Sequence, residues 1–279
     1  MTTGPAASTL DERARHSLAL TFWGVDVVVR VPSLADRDYL GHHFADHLAD
    51  RVDTGEPIRV WMTYTGPFDA FVDALRHDGG VKSLHVDLGA GPELWEEWAT
   101  SPSRPSPLPP FTLPPLAGRV RLLHASAAAL PGDGSRAVTI GGASLAGKTS
   151  VLLGLLERGW RFCSDDTTPV VDGRIARYTR PLNVRAQSLG SFPLLADRIR
   201  AAGRCVLTRT GPTFMVRPRD LDLPRSDDFC TRVLSVRLEA SADWHATQDG
   251  RSLVVGHDVE RDLSRTLDRV EAAVSSIEP

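Results

Sequence analysis

Residues 138–166, VTIGGASLAGKTSVLLGLLERGWRFCSDD, constrain the fold of this chain more than any other stretch. Gly142, Gly147, Lys148 and Thr149 stand at the spacing G-x-x-x-x-G-K-[ST], the sequence form of a loop that cradles phosphate between a strand and a helix. The flanks suit that context. Ala137 to Ile140 is a short apolar run fit for a buried strand, and Val151, Leu152, Leu155 and Leu156 recur at helical spacing after the loop. Gly159 sits where a left-handed helix stop is expected. Trp160 to Cys163 then reads as a second buried strand, closed by Ser164, Asp165 and Asp166. The order is strand, loop, helix, strand, acid pair. Glycines let the backbone approach a polyphosphate, and the amides and helix N-terminus point partial positive charge at it. Lys148 adds a point charge, and Thr149 offers a hydroxyl to Mg²⁺, which a carboxylate at the neighbouring strand end helps to hold.

The acid pair is the candidate for receiving or activating an acceptor. Adjacent residues at a strand end diverge, so one carboxylate can face the metal and the other the incoming nucleophile. Asp165 is assigned as general base and Asp166 as metal ligand, the opposite division fitting the spacing equally well. His124, at the end of an apolar segment upstream of the loop, is a candidate for contacting the transferred group or tuning the carboxylates, against the alternative of a hydrogen-bonded core histidine. Arg180 and Arg185, in TRPLNVR, are candidates for holding a substrate phosphate or carboxylate. His42, His43 and His47 invite a metal reading, but no third ligand accompanies them and a polar helix face explains them better. Trp95 and Trp98 read as packing residues of a small helix.

The rest of the chain supplies a second module. A length of 279 residues accommodates two modest domains, and 42% hydrophobic with 24% charged residues is ordinary for a globular protein. A net charge of −3 gives no general attraction to nucleic acid or to an anionic membrane surface. The N-terminal residues lack an apolar core of signal-peptide length and no later run approaches a membrane span, so a cytoplasmic location is expected. Cys163, Cys205 and Cys230 lack paired metal-ligand spacing and are expected to be reduced and mostly buried. Strands or hairpins are expected in 18–31, 58–64 and 81–88, and helices at 34–52 and 68–75. The proline-rich stretch 101–115, SPSRPSPLPPFTLPP, marks the boundary, since prolines deny the backbone donors that helix and sheet need. A strand at 119–129 and a turn at 131–135 lead into the phosphate loop. Beyond the acid pair, residues 169–178 read as a hairpin around Asp172-Gly173. Strands follow at 204–207, 214–217, 231–238 and 253–255, and the apolar spacing from Val259 to Ile277 predicts a C-terminal helix.

The segment 122–166, with its strand-end histidine, phosphate loop, Leu-Leu-x-Arg-Gly helix end and Ser-Asp-Asp, resembles the kinase core of the HPr kinase/phosphorylase family. Members of that family share a fold with ATP-dependent phosphoenolpyruvate carboxykinases and phosphorylate a serine hydroxyl with ATP and Mg²⁺. Related stand-alone kinases occur in peptide natural-product clusters. The resemblance implies an α/β fold with a P-loop kinase core of that type over 118–279; residues 1–117, which it does not reach, read from their own pattern as a small N-terminal α/β module with its proline-rich linker. It implies that Gly142, Ala143, Ser144, Leu145, Ala146, Gly147, Lys148, Thr149 and Ser150 bind ATP, that Thr149 and Asp166 hold Mg²⁺, and that Asp165, Lys148 and His124 form the catalytic set. Two departures stand out. Family loops usually read Ser-Gly-x-Gly-Lys where this chain has Leu145 and Ala146, and the second Gly-rich signature of HPr kinases has no counterpart. HPr as substrate and the phosphorylase reaction are therefore not expected. The function expected is transfer of the γ-phosphoryl group of ATP to a Ser- or Thr-like hydroxyl of a peptide or small molecule. The alternative is a catalytically silent nucleotide-binding partner of a biosynthetic peptide or enzyme. A homo-oligomer is compatible with the sequence.

Overall fold

The computed structural model describes residues 12, 14–50, 57–63, 71–77, 80–87, 110, 113–116, 118–208, 211–226 and 229–277. The chain is mixed α/β and divides into two compact units, 1–120 and 121–279. In the first unit, β1 (His16–Phe22) and β2 (Val25–Val31) form a hairpin in which buried residues alternate with partly exposed ones. The turn is set by Trp23 and Gly24 at φ 50 and 82, the left-handed pair that matches the twist of a two-residue hairpin. Helix α1 (Leu34–His43) begins with a capping box between Ser33 and Asp36 and crosses over to β3 (Ile58–Thr63), which runs parallel to β2. Strands β4 (Phe71–His77) and β5 (Gly80–Asp87) complete a five-stranded sheet of order β1-β2-β3-β5-β4.

Three expectations fail here. The helix expected over 34–52 ends at His43, because Phe44 leaves helical geometry at φ −111, ψ 32 and Leu48 turns back to bridge Leu20. The part of 68–75 that is described is strand, since register pairing of Phe71–His77 with β5 outweighs a local spacing that suits either element. Nor do His43 and His47 form a polar helix face. His43 is buried against the rings of Tyr39 and Phe44, and His47 packs 4.7 Å from Phe22. Trp95 and Trp98 lie outside the described residues, as does most of the proline-rich stretch.

The second unit is built on a six-stranded mixed sheet of β7 (Ala125–Leu130), β8 (Asp133–Gly142), β9 (Arg161–Ser164), β16 (Arg232–Ala240), β17 (His245–Asp249) and β18 (Ser252–His257). Their order across the sheet is β17-β18-β16-β8-β7-β9. Strand β16 runs parallel to both β8 and β18. One face carries Val138, Ile140, Leu234, Val236, Leu253 and Val255 into a core with helices α2 (Lys148–Glu157), α3 (Pro193–Ala202) and α4 (Val259–Ser275). Helix α2 is buried on more than the expected stripe. Leu153 and Gly154 are covered as well, because α2 packs on β7, β8 and α4 together.

The other face, over β7 and β8, is closed by Ala127, Ala129 and Ala137 against Val170, Ile175 and Cys230. These last three belong to a four-stranded sheet of β6 (Val120–Leu123), β10 (Thr168–Val171), β11 (Arg174–Ala176) and β15 (Phe229–Cys230). Sheet lies on sheet there with small alanines between, so β7 is buried on both faces. Strands β12 (Leu182–Arg185), β13 (Arg204–Thr208) and β14 (Gly211–Val216) form a third sheet. Helix α3, not expected from the sequence, starts with Pro193 in its first turn and buries Leu195, Ala196 and Ile199. Cys163 and Cys230 are buried as expected, whereas Cys205 is exposed. No helix among the described residues is long and apolar enough to cross a membrane.

Candidate functional site

Strand β8 delivers the chain to residues 142–149, and α2 leaves from Lys148 with Gly147 as its N-cap at φ 90. Gly142 stands at φ 149 where β8 meets β16, and a Cβ there would come within 2.7 Å of the Leu238 carbonyl. Only glycine fits that approach. Leu145 takes φ 71 in mid-loop, a left-handed position that glycine fills without strain, and its side chain is exposed. Ala143 and Ser144 are exposed beside it, while Ala146 is buried and donates its amide to the Ala143 carbonyl.

The Lys148 side chain is buried and folded back over the loop. Its ammonium donates to the carbonyls of Gly142 at 3.2 Å and Ala143 at 3.1 Å. Two of its three hydrogens are thus engaged and the third is left for an anion. In a planar trans peptide the N–H points opposite to the C=O, so turning these carbonyls onto the lysine directs the amides of Ala143 and Ser144 away from it. Unengaged amides next to a helix N-terminus suit an anion.

Thr149, in the first turn of α2, reaches across to the end of β9. Its Oγ1 donates to the Asp165 carboxylate, 3.3 Å from Oδ1 and 3.4 Å from Oδ2. Asp165 is buried and accepts a 2.6 Å bond from Ser126 Oγ of β7. Burial pushes its carboxyl up from the usual range, and the neighbouring Asp166 charge adds to this, while Ser126 and Thr149 pull the other way. The backbone turns sharply after β9. Thr167 donates its amide to the Asp165 carbonyl and Asp166 sits at φ 58. That turn sends the Asp166 carboxylate toward His124, whose Nδ1 is 3.4 Å from Asp166 Oδ1. His124 occupies a bend between β6 and β7 and its side chain is 52% exposed, so it is not a core histidine. Thr168 holds the arrangement by bonding to Ser164 Oγ and donating to the Ala125 carbonyl.

The loop, Lys148, Thr149, Asp165, Asp166 and His124 thus come from β6 through β10 of one unit. Arg185 is half-buried on β12. Arg180 is 7% exposed, 5.8 Å from the ring of Tyr178, with a buried Nε that makes no hydrogen bond. The polar group beside it is the Tyr178 phenol, not a carboxylate among the described residues. Burial also pushes the Tyr178 phenol up to about 12. Tyr178 donates its amide to the Cys163 carbonyl, so the turn carrying Arg180 returns beside β9, two residues before the acid pair. A cavity of about 650 Å³ is lined by Gly142, Ala143, Leu145, Arg237, Leu238 and Glu239 among others.

Three contributors went unread in the sequence. Ser126 is the one polar side chain in the apolar run Ala125–Leu130, and that anomaly was its signal. Thr168 and His257, the latter hydrogen-bonded to the loop, had no local signal. For Mg²⁺, the Thr149 hydroxyl beside a carboxylate supplies the hard oxygen donors that the ion takes together with phosphate and water.

No protein-family model matches the chain. No curated protein matches it in sequence. Among solved structures the chain is similar to the Hpr(Ser) kinase/phosphatase from Coxiella burnetii, over 55% of this chain and 96% of that one, at 14% identity and a TM-score of 0.29. This is a distant structural likeness, and it carries no argument about activity.

Proposed function

We propose that the chain is an ATP- and Mg²⁺-dependent kinase with an HPr-kinase-like P-loop core, transferring the γ-phosphoryl group to a Ser- or Thr-like hydroxyl of a peptide or small molecule. The observation that carries this reading is the meeting of Thr149 with Asp165, sixteen positions apart, beside a loop whose lysine is already turned over it. A phosphate-binding turn alone needs no buried carboxylate at that point.

The amides of Ala143, Ser144, Leu145 and Gly147 and the free hydrogen of Lys148 hold the β- and γ-phosphates, the Ala146 amide being bonded within the loop. Mg²⁺, when bound, offsets their charge and orients them. The contact with Thr149 supports Asp165 as the carboxylate on the metal side, held in place by Ser126. Asp166, partly exposed and paired with His124, is then on the acceptor side. This is the second of the two divisions that the sequence allowed. The acceptor oxygen attacks the γ-phosphorus, its proton passes to the Asp166 carboxylate, and the bond to the β-phosphate oxygen breaks with its electron pair leaving on ADP. His124 orients Asp166 and can relay that proton. Arg180 is the arginine assigned to an anionic group, because burying a guanidinium with no anion beside it costs several kcal/mol by itself. Arg185, on β12, is the second candidate for the same group.

The test is a labelled-ATP transfer assay with Mg²⁺ across free serine, serine peptides and a no-acceptor control, comparing the natural chain with Lys148→Ala. Acceptor-dependent label that disappears in the variant is the expected result. If ATP binds but no label moves to acceptor or water, the kinase reading fails and that of a silent nucleotide-binding partner replaces it.

A further inference from the structure

We infer that His257 is a positioning residue for the phosphate loop: its Nε2–H fixes the Ala146–Gly147 peptide so that the Gly147 amide faces the anion. The inference rests on the reading of residues 142–149 as a phosphate-binding loop.

His257 ends β18 and is buried, with both ring nitrogens hydrogen-bonded. Nε2 lies 3.0 Å from the Ala146 carbonyl and Nδ1 lies 3.1 Å from Thr266 Oγ1 of α4. A carbonyl only accepts, so Nε2 carries the hydrogen and donates it. The Thr266 hydroxyl, which can donate as well as accept, is free to satisfy Nδ1. The partners therefore set the tautomer, and the ring is clamped between the loop and the last helix.

The planar peptide gives this clamp its consequence. With the Ala146 C=O held toward His257, the Gly147 N–H of the same peptide must point the other way. Gly147 is the N-cap of α2 at φ 90, and because glycine takes either sign of φ, the preceding peptide is free to flip at that end. Nothing in the loop itself fixes that peptide: the Lys148 ammonium takes the carbonyls of Gly142 and Ala143, not that of Ala146. Lysine and histidine thus divide the loop carbonyls between them, lysine at its start and histidine at its end. An amide aimed before the anion arrives makes binding tighter, because no reorientation has to accompany it.

The two ring nitrogens can be tested separately. In His257→Gln the side-chain amide nitrogen reaches about as far as Nε2 and can still donate to Ala146. In His257→Asn the amide nitrogen reaches only as far as Nδ1. Without nucleotide, the ¹H–¹⁵N signal of Gly147 and the ¹³C signal of the Ala146 carbonyl should stay near their natural positions in His257→Gln and move and broaden in His257→Asn. With ADP and Mg²⁺ as the probe, Kd should rise roughly fivefold to tenfold in the Asn variant, and stay within about threefold in the Gln variant, the size expected for one lost hydrogen bond. Thr266→Val, which removes the hydroxyl without changing the helix stripe, serves if the Asn variant does not fold. It should broaden the same two signals. Equal loop signals in the Asn and Gln variants, or an unaltered loop in Thr266→Val, would overturn the inference. A natural chain that fails to bind ADP would sink the functional reading instead, while the ligand-free signals still decide the role of His257.

Discussion

At the scale of single residues, the role proposed for Asp165 stands in opposition to stability. A buried carboxylate whose pKa is raised above its unfolded value of about 3.9 destabilises the fold more as pH climbs, because the unfolded chain ionises first and the folded chain must then bury the charge. Its stabilising state is the protonated one, present below that pH and lost above it. Asp165→Asn should therefore raise the thermal midpoint of the ligand-free chain at pH 7 by a few degrees, about what 1 kcal/mol moves a chain of this size. On the function proposed above, it should abolish phosphoryl transfer at the same time. The gain should shrink toward pH 4, where the natural carboxyl also holds its proton. Melting curves at pH 4 and pH 7 check this, and a lower midpoint for the variant at pH 7 would mean that the hydrogen bonds from Ser126 and Thr149 outweigh the burial.

At the scale of elements, the hairpin joining β7 to β8 has the reverse electrostatics. Asp133, at the start of β8, accepts from Ser135 Oγ at 2.6 Å and from Arg136 Nε at 2.6 Å, with Arg232 Nη2 of β16 at 3.2 Å. The Ser135 hydroxyl and the two guanidiniums hold its carboxyl well below the usual carboxylate range. A depressed carboxylate stabilises the fold above its unfolded pKa of about 3.9 and loses that contribution as pH falls further. The natural chain should accordingly lose more stability than Asp133→Asn between pH 4 and pH 2, as urea midpoints would register. Parallel loss in both would mean that the cluster does not tie β8 to β16. The same two strands carry the loop at their other ends, at Gly142 and Leu238, so their register is part of the site.

At the scale of the whole molecule, the phosphate loop, acid pair and His257 all belong to the unit 121–279. Hydrogen exchange followed peptide by peptide should show protection by ATP and Mg²⁺ in β8, α2, β9 and β16, and none in 14–63. Protection of equal size in β1 to β3 would give the first unit a share in nucleotide binding. The proline-rich stretch 101–115, expected from the sequence as the boundary, precedes the division at 120/121.

What the sequence determined by itself is local. The spacing of Gly142, Gly147, Lys148 and Thr149, the apolar run before them and Asp165-Asp166 after the next strand sufficed for the order of elements around the loop, because each signal lies within a turn or strand of the next. Segments whose pattern suits two elements, such as 71–77, were decided by a partner strand. The same holds within the site. Which carboxylate Thr149 meets depends on the turn at Asp166, and Ser126 reaches Asp165 only because β7 lies between β8 and β9. His257 bonds to Ala146 across 111 positions through the parallel pairings of β16 with β8 and β18. Chemistry that rests on neighbours in sequence is written in the chain, whereas contacts between distant strands exist only once the sheet has chosen its order.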